Sequence, residues 1–173
     1  NQVLTETEPF WLDRERAVGI AQGYLNFTMP VASNMQFSLI SRRKIEELVQ
    51  SGVDEGAQLH QSTRCELPAR GFFFRPTVFT GVAQSHRIAR EEIFGPVLSV
   101  LTFRTPDEAV AKANNTPYGL SAGIWTDKGA KALWTAQRMR AGVVWTNTFN
   151  RFDPTAPFGG YRESGFGREG GLA

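Results

Sequence analysis

The segment Pro96-Val97-Leu98-Ser99-Val100-Leu101-Thr102-Phe103 is a nearly continuous apolar run of strand length. Such a run is typical of a strand that is buried on both faces, as in a parallel sheet covered by helices. On either side of it, strand patterns alternate with helix patterns. The strand patterns lie at 75–79, 121–126 and 143–146, and the helix patterns lie at 41–55, 105–113 and between residues 127 and 142. Because the links are short, this alternation predicts a three-layer α/β fold with a mostly parallel sheet and flanking helices.

The ends of the predicted helices rest on capping signals. Ser41 is predicted to cap the first helix, and Gly56 lies near its end. The stretch Thr105-Pro106-Asp107-Glu108 has a cap, a proline at the first helical position and a capping-box glutamate, so it predicts the start of the second helix. Asp127 is predicted to cap the third helix, and Gly142 to end it. The residues expected on one face of this helix are Ala130, Leu133 and Trp134.

Composition narrows the class of protein. With 173 residues, 41% of them hydrophobic and 12% aromatic, the chain can bury the core of one domain. Nineteen basic and 17 acidic residues are scattered along the chain, so we expect neither a nucleic-acid partner nor a membrane surface. No apolar stretch is long enough to span a bilayer. Cys65 is the single cysteine, which excludes an internal disulfide and fits a reducing setting, so we expect a soluble cytoplasmic protein.

Two segments carry a family resemblance, Glu91-Glu92-Ile93-Phe94-Gly95-Pro96-Val97 and Pro157-Phe158-Gly159-Gly160-Tyr161-Arg162-Glu163-Ser164-Gly165. Both resemble signature motifs of the aldehyde dehydrogenase superfamily. Two further stretches, 114–123 and 142–147, stand between them in the family's order and spacing. The resemblance implies the C-terminal part of the catalytic domain, truncated or rearranged at both ends. It makes residues 41–173 the catalytic-domain portion and residues 1–40 a divergent remnant of the region before and around the catalytic loop.

The resemblance also implies a reaction that needs a cysteine nucleophile, which this chain lacks at the expected position. In the family a cysteine thiolate attacks the aldehyde, a hydride passes to the nicotinamide, and water hydrolyses the thioester to the carboxylic acid. Residues 28–34 stand where the family has its Gly-Gln-x-Cys loop, and they contain no cysteine. Cys65 lies in a different loop with no neighbouring histidine, and we expect it to be a surface thiol rather than the nucleophile. We therefore expect a portion of an NAD(P)-dependent aldehyde dehydrogenase that is inactive alone.

Two alternatives stay open at this point. One is a non-catalytic aldehyde-dehydrogenase-like domain for binding or assembly, with a homo-oligomer or another chain as its partner. The other is a fragment with no independent role. The two histidines, His60 and His86, stand apart and have no ligand spacing, so we expect no metal site.

The resemblance assigns two residues to the cofactor, which is NAD or NADP in this family. Glu92 matches the glutamate that accepts hydrogen bonds from the nicotinamide ribose hydroxyls, and Phe94 matches the residue beside the nicotinamide ring. The alternative is a glutamate at a helix end and a phenylalanine in the core. We expect this chain to lack most of the surface that binds the adenine half of the cofactor. We therefore do not expect the chain alone to bind NAD or NADP tightly.

The resemblance assigns further residues to the aldehyde side. Phe152 and Phe158 match aromatic positions that line the family's aldehyde tunnel, although core packing is an alternative for Phe152. Glu169 matches a glutamate of the family's proton-relay path, and the alternative is a solvated side chain in a glycine-rich tail. Asn147 matches a structural asparagine near the active-site floor, and we do not expect it to be catalytic.

Overall fold

A computed structural model describes residues 2–6, 37–61 and 66–171 of the chain. The chain forms two compact units, Asn1–Thr105 and Pro106–Ala173. The described helices and strands of the first unit are β1 (Gln2–Glu6), α1 (Leu39–Asp54), β2 (Gln58–Gln61), β3 (Thr77–Thr80) and β4 (Val97–Phe103). Those of the second are α2 (Pro106–Asn114), β5 (Ser121–Ile124), α3 (Gly129–Ala136) and β6 (Val143–Thr146). The segment 28–34 and the Cys65 loop, on which the nucleophile prediction depends, lie outside the described residues.

The first unit contains a four-stranded sheet in the order β1-β4-β3-β2. Strand β4 is central and parallel to both neighbours, with Val3 opposite Val100 on one side and Val78 opposite Leu98 on the other. Its first five residues are buried, as expected for an apolar strand that is covered on both faces. The prediction of an α/β fold with a mostly parallel sheet and flanking helices is confirmed.

Helix α1 covers this sheet with an apolar stripe. The core joins Ile45 and Leu48 of the helix to Phe79, Val97 and Leu101 of the sheet. Leu48 and Phe79 have no exposed surface, so burial of this stripe rather than helix propensity dominates the stability of α1.

The two ends of α1 test the capping predictions. The prediction of Ser41 as the cap was wrong, because the helix begins at Leu39 and the Oγ of Ser38 accepts from the amide of Ser41 at 3.0 Å. Ser38, three residues before Ser41, therefore caps the helix by accepting a hydrogen bond from a backbone amide of its first turn. At the other end, the left-handed Gly56 has a φ of 91° and its amide donates to Val53 O at 3.0 Å, which confirms the predicted stop.

The second unit contains the parallel pair β5–β6, with Gly123 opposite Trp145, and helix α3 packs on both strands. The predictions for α3 were wrong at both ends and for its apolar face. Lys128 rather than Asp127 occupies the cap, and the buried residue is Ala132, whereas Leu133 is 63% exposed. The helix ends at Ala136 because backbone groups of the following turn form hydrogen bonds with the side chain of Asn114 instead of continuing the helix. Asn114 Nδ2 donates to Arg138 O, and the Arg140 amide donates to Asn114 Oδ1, both at 2.8 Å.

Strands β1 and β2 were not predicted. The local sequence of β2, Gln-Leu-His-Gln, is polar, and it becomes a strand by antiparallel pairing with β3, where Leu59 lies opposite Phe79. Among the helices of the described residues, none combines the length and the apolar character that crossing a bilayer requires. The division into 1–40 and 41–173 stays a prediction.

Candidate active site

The 91–96 loop, which precedes β4, is held against the core of the first unit. Ile93 is 4% exposed and belongs to the core cluster with Ile45 of α1. Gly95 lies so close to the same helix that a Cβ there would come within 2.5 Å of Ile45 Cδ1. Its amide donates to the Ile93 carbonyl at 2.8 Å. A buried side chain and a close backbone approach therefore fix the middle of the loop.

This anchoring turns the two residues predicted for the cofactor outward. Phe94 is 79% exposed, so the alternative of a core phenylalanine does not hold for this unit. Glu92 is exposed and follows the short 3-10 helix Arg87–Ala89 rather than an α-helix. Within the part of the chain that the structure describes, no hydrogen-bond or ion-pair partner occupies the Glu92 carboxylate. Glu92 and Phe94 thus present an acceptor-only group and an apolar ring on one anchored loop.

Neighbouring Glu91 is bound by an arginine. Arg87 Nε donates to Glu91 Oε1 at 2.7 Å, and Nη2 donates to Glu91 Oε2 at 3.1 Å. The same Nη2 donates to Glu47 Oε1 of α1 at 3.1 Å. Hydrogen bonding to Arg87 lowers the pKa of both Glu91 and Glu47 below their ordinary value, and the two carboxylates raise the pKa of Arg87. This fork was not predicted from the sequence, although the i, i+4 spacing of Arg87 and Glu91 is a signal for it.

In the second unit, Phe152 and Phe158 are brought together. Their ring centroids are 4.9 Å apart in an edge-to-face arrangement, with planes at 87°. They end a series of adjacent rings, here called the aromatic ladder, that runs through Trp125, Phe149, Trp145, Phe152 and Phe158 with centroid spacings of 6.3, 4.9, 5.6 and 4.9 Å. Phe152 is 58% exposed, so core packing does not account for it within this unit. The first three rings of the ladder were not predicted as site residues, although their aromatic type is visible in the sequence.

The glycine-rich tail folds back on the ladder. Phe158 and Glu169 form an antiparallel bridge in which each amide donates to the other's carbonyl at 2.8 Å. The amide of Gly171 donates to Pro154 O at 3.0 Å. The bridge places the Glu169 backbone directly beside Phe158, while the Glu169 carboxylate is exposed and has no hydrogen-bond partner among the described residues. The tail is thus a folded part of the unit, and its glutamate side chain is open to solvent.

Asn147 joins the ends of β5 and β6. Its Oδ1 accepts from the Thr126 amide at 2.9 Å, its Nδ2 donates to Thr126 O at 3.0 Å, and its own amide donates to Ile124 O at 2.7 Å. Its φ of 53° is left-handed, a conformation that asparagine tolerates better than most residues. Three hydrogen bonds within the backbone frame suit a structural role.

Each of the two histidines forms a hydrogen bond within the first unit. His60 Nε2 hydrogen-bonds Thr80 Oγ1 at 2.8 Å, and His86 Nδ1 accepts from the Ala83 amide at 3.3 Å. No cluster of three or more histidine, cysteine, aspartate or glutamate side chains that could hold a metal occurs in 37–61 and 66–171. Glu92 and Phe94 belong to the first unit, and Phe152, Phe158 and Glu169 to the second.

Comparison with known proteins places these motifs in a family. A sequence model of the aldehyde dehydrogenase family matches residues 28–173. Retinal dehydrogenase 2 of Rattus norvegicus is 49% identical over 128 residues, which are 74% of this chain and 24% of that protein. A variant of the P. syringae AldA indole-3-acetaldehyde dehydrogenase, solved with NAD+, is 46% identical with a TM-score of 0.72, covering 78% of this chain and 27% of its own. An apo betaine aldehyde dehydrogenase variant from Staphylococcus aureus is 31% identical with a TM-score of 0.79, covering 98% of this chain and 35% of its own.

The matches cover most of this chain but only a small part of the longer relatives. The chain spans 24% to 27% of the length of the curated relatives it matches. The family match, by contrast, covers most of this chain and includes every described residue from Phe37 onward. The resemblance inferred from the two motifs is confirmed, and the chain belongs to the aldehyde dehydrogenase family.

Proposed function

We propose that this chain is a portion of an NAD(P)-dependent aldehyde dehydrogenase, which oxidises an aldehyde to a carboxylic acid. The observation that carries the proposal is the 91–96 loop. It lies inside the family match, it is anchored through Ile93, and it exposes Glu92 and Phe94 together. The proposal gives these two residues the nicotinamide end of the cofactor. It gives the aldehyde path to Phe152 and Phe158 and a proton-relay role to Glu169.

The cofactor residues fit the group chemically. An ionised carboxylate can accept hydrogen bonds from two vicinal hydroxyls of a ribose, and the Glu92 carboxylate has no competing partner among the described residues. The Phe94 ring, 79% exposed, offers an apolar face to a planar heterocycle. When bound, the cofactor supplies the hydride acceptor, and these residues bind and orient it. The similar indole-3-acetaldehyde dehydrogenase variant was solved with NAD+, which supports NAD or the related NADP as the cofactor.

A titration tests the cofactor role. We expect weak NAD+ binding, measured by calorimetry or nuclear magnetic resonance at high cofactor concentration. Glu92→Gln, which removes the charge while keeping the shape, is expected to weaken it on the order of tenfold, because two charge-assisted hydrogen bonds are lost. Glu163→Gln, an exposed carboxylate of the other unit, is the matched control. Equal binding by the two variants and the wild type would remove Glu92 from the cofactor site.

The aldehyde path is proposed on the aromatic ladder. Edge-to-face contact between Phe152 and Phe158 makes a continuous apolar wall, and Trp145 extends it with a centroid spacing of 5.6 Å to Phe152. Apolar walls select the alkyl or aryl part of an aldehyde and exclude water from the reacting carbon. The Phe158–Glu169 bridge supports the relay role, because it ties Glu169 to this wall.

We also propose that the chain is inactive alone, because its only thiol is Cys65 and residues 28–34 contain none. The test mixes the purified chain with NAD+ and short aliphatic and aromatic aldehydes and follows NADH absorbance. We expect no increase. An increase that Cys65→Ser abolishes would identify Cys65 as a nucleophile, and an increase that survives Cys65→Ser would show a route without a thiolate.

A second candidate function, assembly with a further chain, is favoured by exposed rings. Trp125 is 64% and Phe166 is 96% exposed, which is unusual for large aromatic side chains. The partner proposed is a second copy of the chain. Size-exclusion chromatography with light scattering over a dilution series tests this, and a monomer at every concentration would argue against it. A cytoplasmic location stays part of the proposal and rests on the usage of a single cysteine.

A further inference from the structure

We propose that Arg87 is a positioning residue that sets the backbone of the 91–96 loop and, through it, the placement of Glu92 and Phe94. This inference rests on the proposed function for the role of those two residues. Arg87 has no expected contact with cofactor or aldehyde. Its effect passes through Glu91, the neighbour of Glu92 in the chain.

Arg87 binds Glu91 through both its side chain and its backbone. The guanidinium donates to the two carboxylate oxygens at 2.7 and 3.1 Å. The Arg87 carbonyl also accepts from the Glu91 amide at 2.8 Å and from the Arg90 amide at 2.9 Å. A planar fork that bonds both oxygens restricts the rotation of the glutamate as well as its distance, which a single charge could not do.

Arg87 is itself bound to helix α1 and to the residue that follows it. Its Nη2 donates to Glu47 Oε1 at 3.1 Å, and its backbone amide donates to Glu55 Oε2 at 2.8 Å, just beyond the end of the helix. Three carboxylates therefore converge on one arginine. Without the guanidinium, Glu47 and Glu91 would lose the cation between them, and like charges would repel.

These bonds place a fixed point on each side of Glu92. Glu91 is held by Arg87 on one side, and Ile93 is buried in the core on the other. Phe94 is likewise flanked by Ile93 and by Gly95, which is held through its hydrogen bond to the Ile93 carbonyl. When both neighbours of an exposed residue are held, its backbone and the direction of its Cα–Cβ bond are restricted, so less backbone conformational entropy is lost on binding.

Two readouts on the full chain test this inference. Hydrogen exchange by mass spectrometry follows the peptide 91–97, with a peptide over 98–103 as the internal standard for global opening. NAD+ titration follows ligand affinity. The variants are Arg87→Met, the conservative Arg87→Lys, and the control Lys44→Met, which removes another partner of Glu47, at 3.4 Å, without touching the loop. Circular dichroism verifies folding.

We expect Arg87→Met to speed exchange in the loop and weaken NAD+ binding, each by about two- to fivefold, with the 98–103 peptide unchanged. The exchange rate and NAD+ affinity of Arg87→Lys should lie between those of the wild type and of Arg87→Met, because an ammonium group keeps the charge but cannot bond both carboxylate oxygens as a planar fork. Lys44→Met should match the wild type. Unchanged loop exchange in Arg87→Met, or an equal effect of Lys44→Met, would overturn the inference. If the wild type does not bind NAD+, the proposed cofactor role fails, and the exchange data alone decide whether Arg87 positions the loop.

Discussion

Substitutions at Asn147 separate two contributions to the stability of the second unit, its side-chain hydrogen bonds and its left-handed backbone. The side chain makes two bonds to Thr126, at 2.9 and 3.0 Å, and the residue has a φ of 53°. Each bond is exposed, so together they contribute about 1 kcal/mol. In the left-handed region alanine costs about 1 kcal/mol relative to glycine, whereas asparagine tolerates that region.

The two contributions predict an order of stabilities. Asn147→Gly loses the bonds and keeps a residue that tolerates the left-handed backbone, so it should lower the free energy of unfolding by about 1 kcal/mol. Asn147→Ala loses the bonds and adds strain, so it should lower it by about 2 kcal/mol. Asn150 is the matched control, because its φ of 57° is also left-handed and its side-chain amide forms no hydrogen bond with the described residues. Asn150→Gly should leave stability within about 0.5 kcal/mol of the wild type.

Urea unfolding followed by tryptophan fluorescence is the assay, because Trp125 and Trp145 lie close to Thr126 and Asn147 in the chain. The comparison requires equal dependence on urea concentration, so that shifts in midpoint report stability alone. Glycine and alanine variants of equal stability would refute the strain argument. An Asn147→Gly chain as stable as the wild type would refute the hydrogen-bond argument.

Three further predictions concern the core, the ladder and pH. Leu48→Ala, at a position with no exposed surface, should lower the free energy of unfolding by about 3 kcal/mol in urea denaturation; a loss below 1 kcal/mol would contradict its burial. Trp145→Phe removes the bond from its Nε1 to Arg151 O, 2.9 Å long, and should cost about 1 kcal/mol by circular dichroism, whereas no change would mean that water replaces the bond fully. Arg87 lowers the pKa of Glu91. Their ion pair therefore stabilises the fold at pH values above the ordinary glutamate pKa of 4.5, and this stabilisation is lost as the pH falls through the lowered pKa of Glu91. The difference in urea midpoint between wild type and Arg87→Met should therefore shrink on acidification from neutral pH, and a constant difference would argue against the shift.

Local patterns predicted most of the regular elements. The run in β4 is apolar on both faces, and the structure buries its first five residues. Strand β6 has the predicted bounds, and α2 begins at the predicted Pro106. These elements were visible in the sequence because burial periodicity, β-branched residues and proline act over a few neighbouring positions.

The helix ends were less predictable because several residues compete to bond the same free amides and carbonyls. Ser38 and Ser41 are both adequate caps by type, and only the path of the chain selects Ser38. Similarly, α3 ends at Ala136 because Asn114, distant in sequence, bonds Arg138 and Arg140. A local pattern does not contain that competitor.

For the candidate site, the family resemblance identified Glu92, Phe94, Phe152 and Phe158 by type, and the family match includes the two motifs that contain Glu92, Phe94 and Phe158. Their environment could not be predicted from the motifs. The exposure of Phe94 depends on how deeply its neighbour Ile93 is buried, and the contact of Phe152 with Phe158 depends on the fold of the tail. The functional roles of these residues stay proposals.

By itself, the sequence determined the family, the α/β class and the buried central strand, because motif identity and hydrophobic periodicity are written in adjacent residues. Only the tertiary structure decided that the polar segment Gln58–Gln61 is a strand, that Arg87 joins a carboxylate of α1 to the 91–96 loop, and that the aromatic residues form a ladder. Each of these features depends on partners far apart in the chain. Pairing and burial are properties of contacts between segments, and a single segment does not specify them.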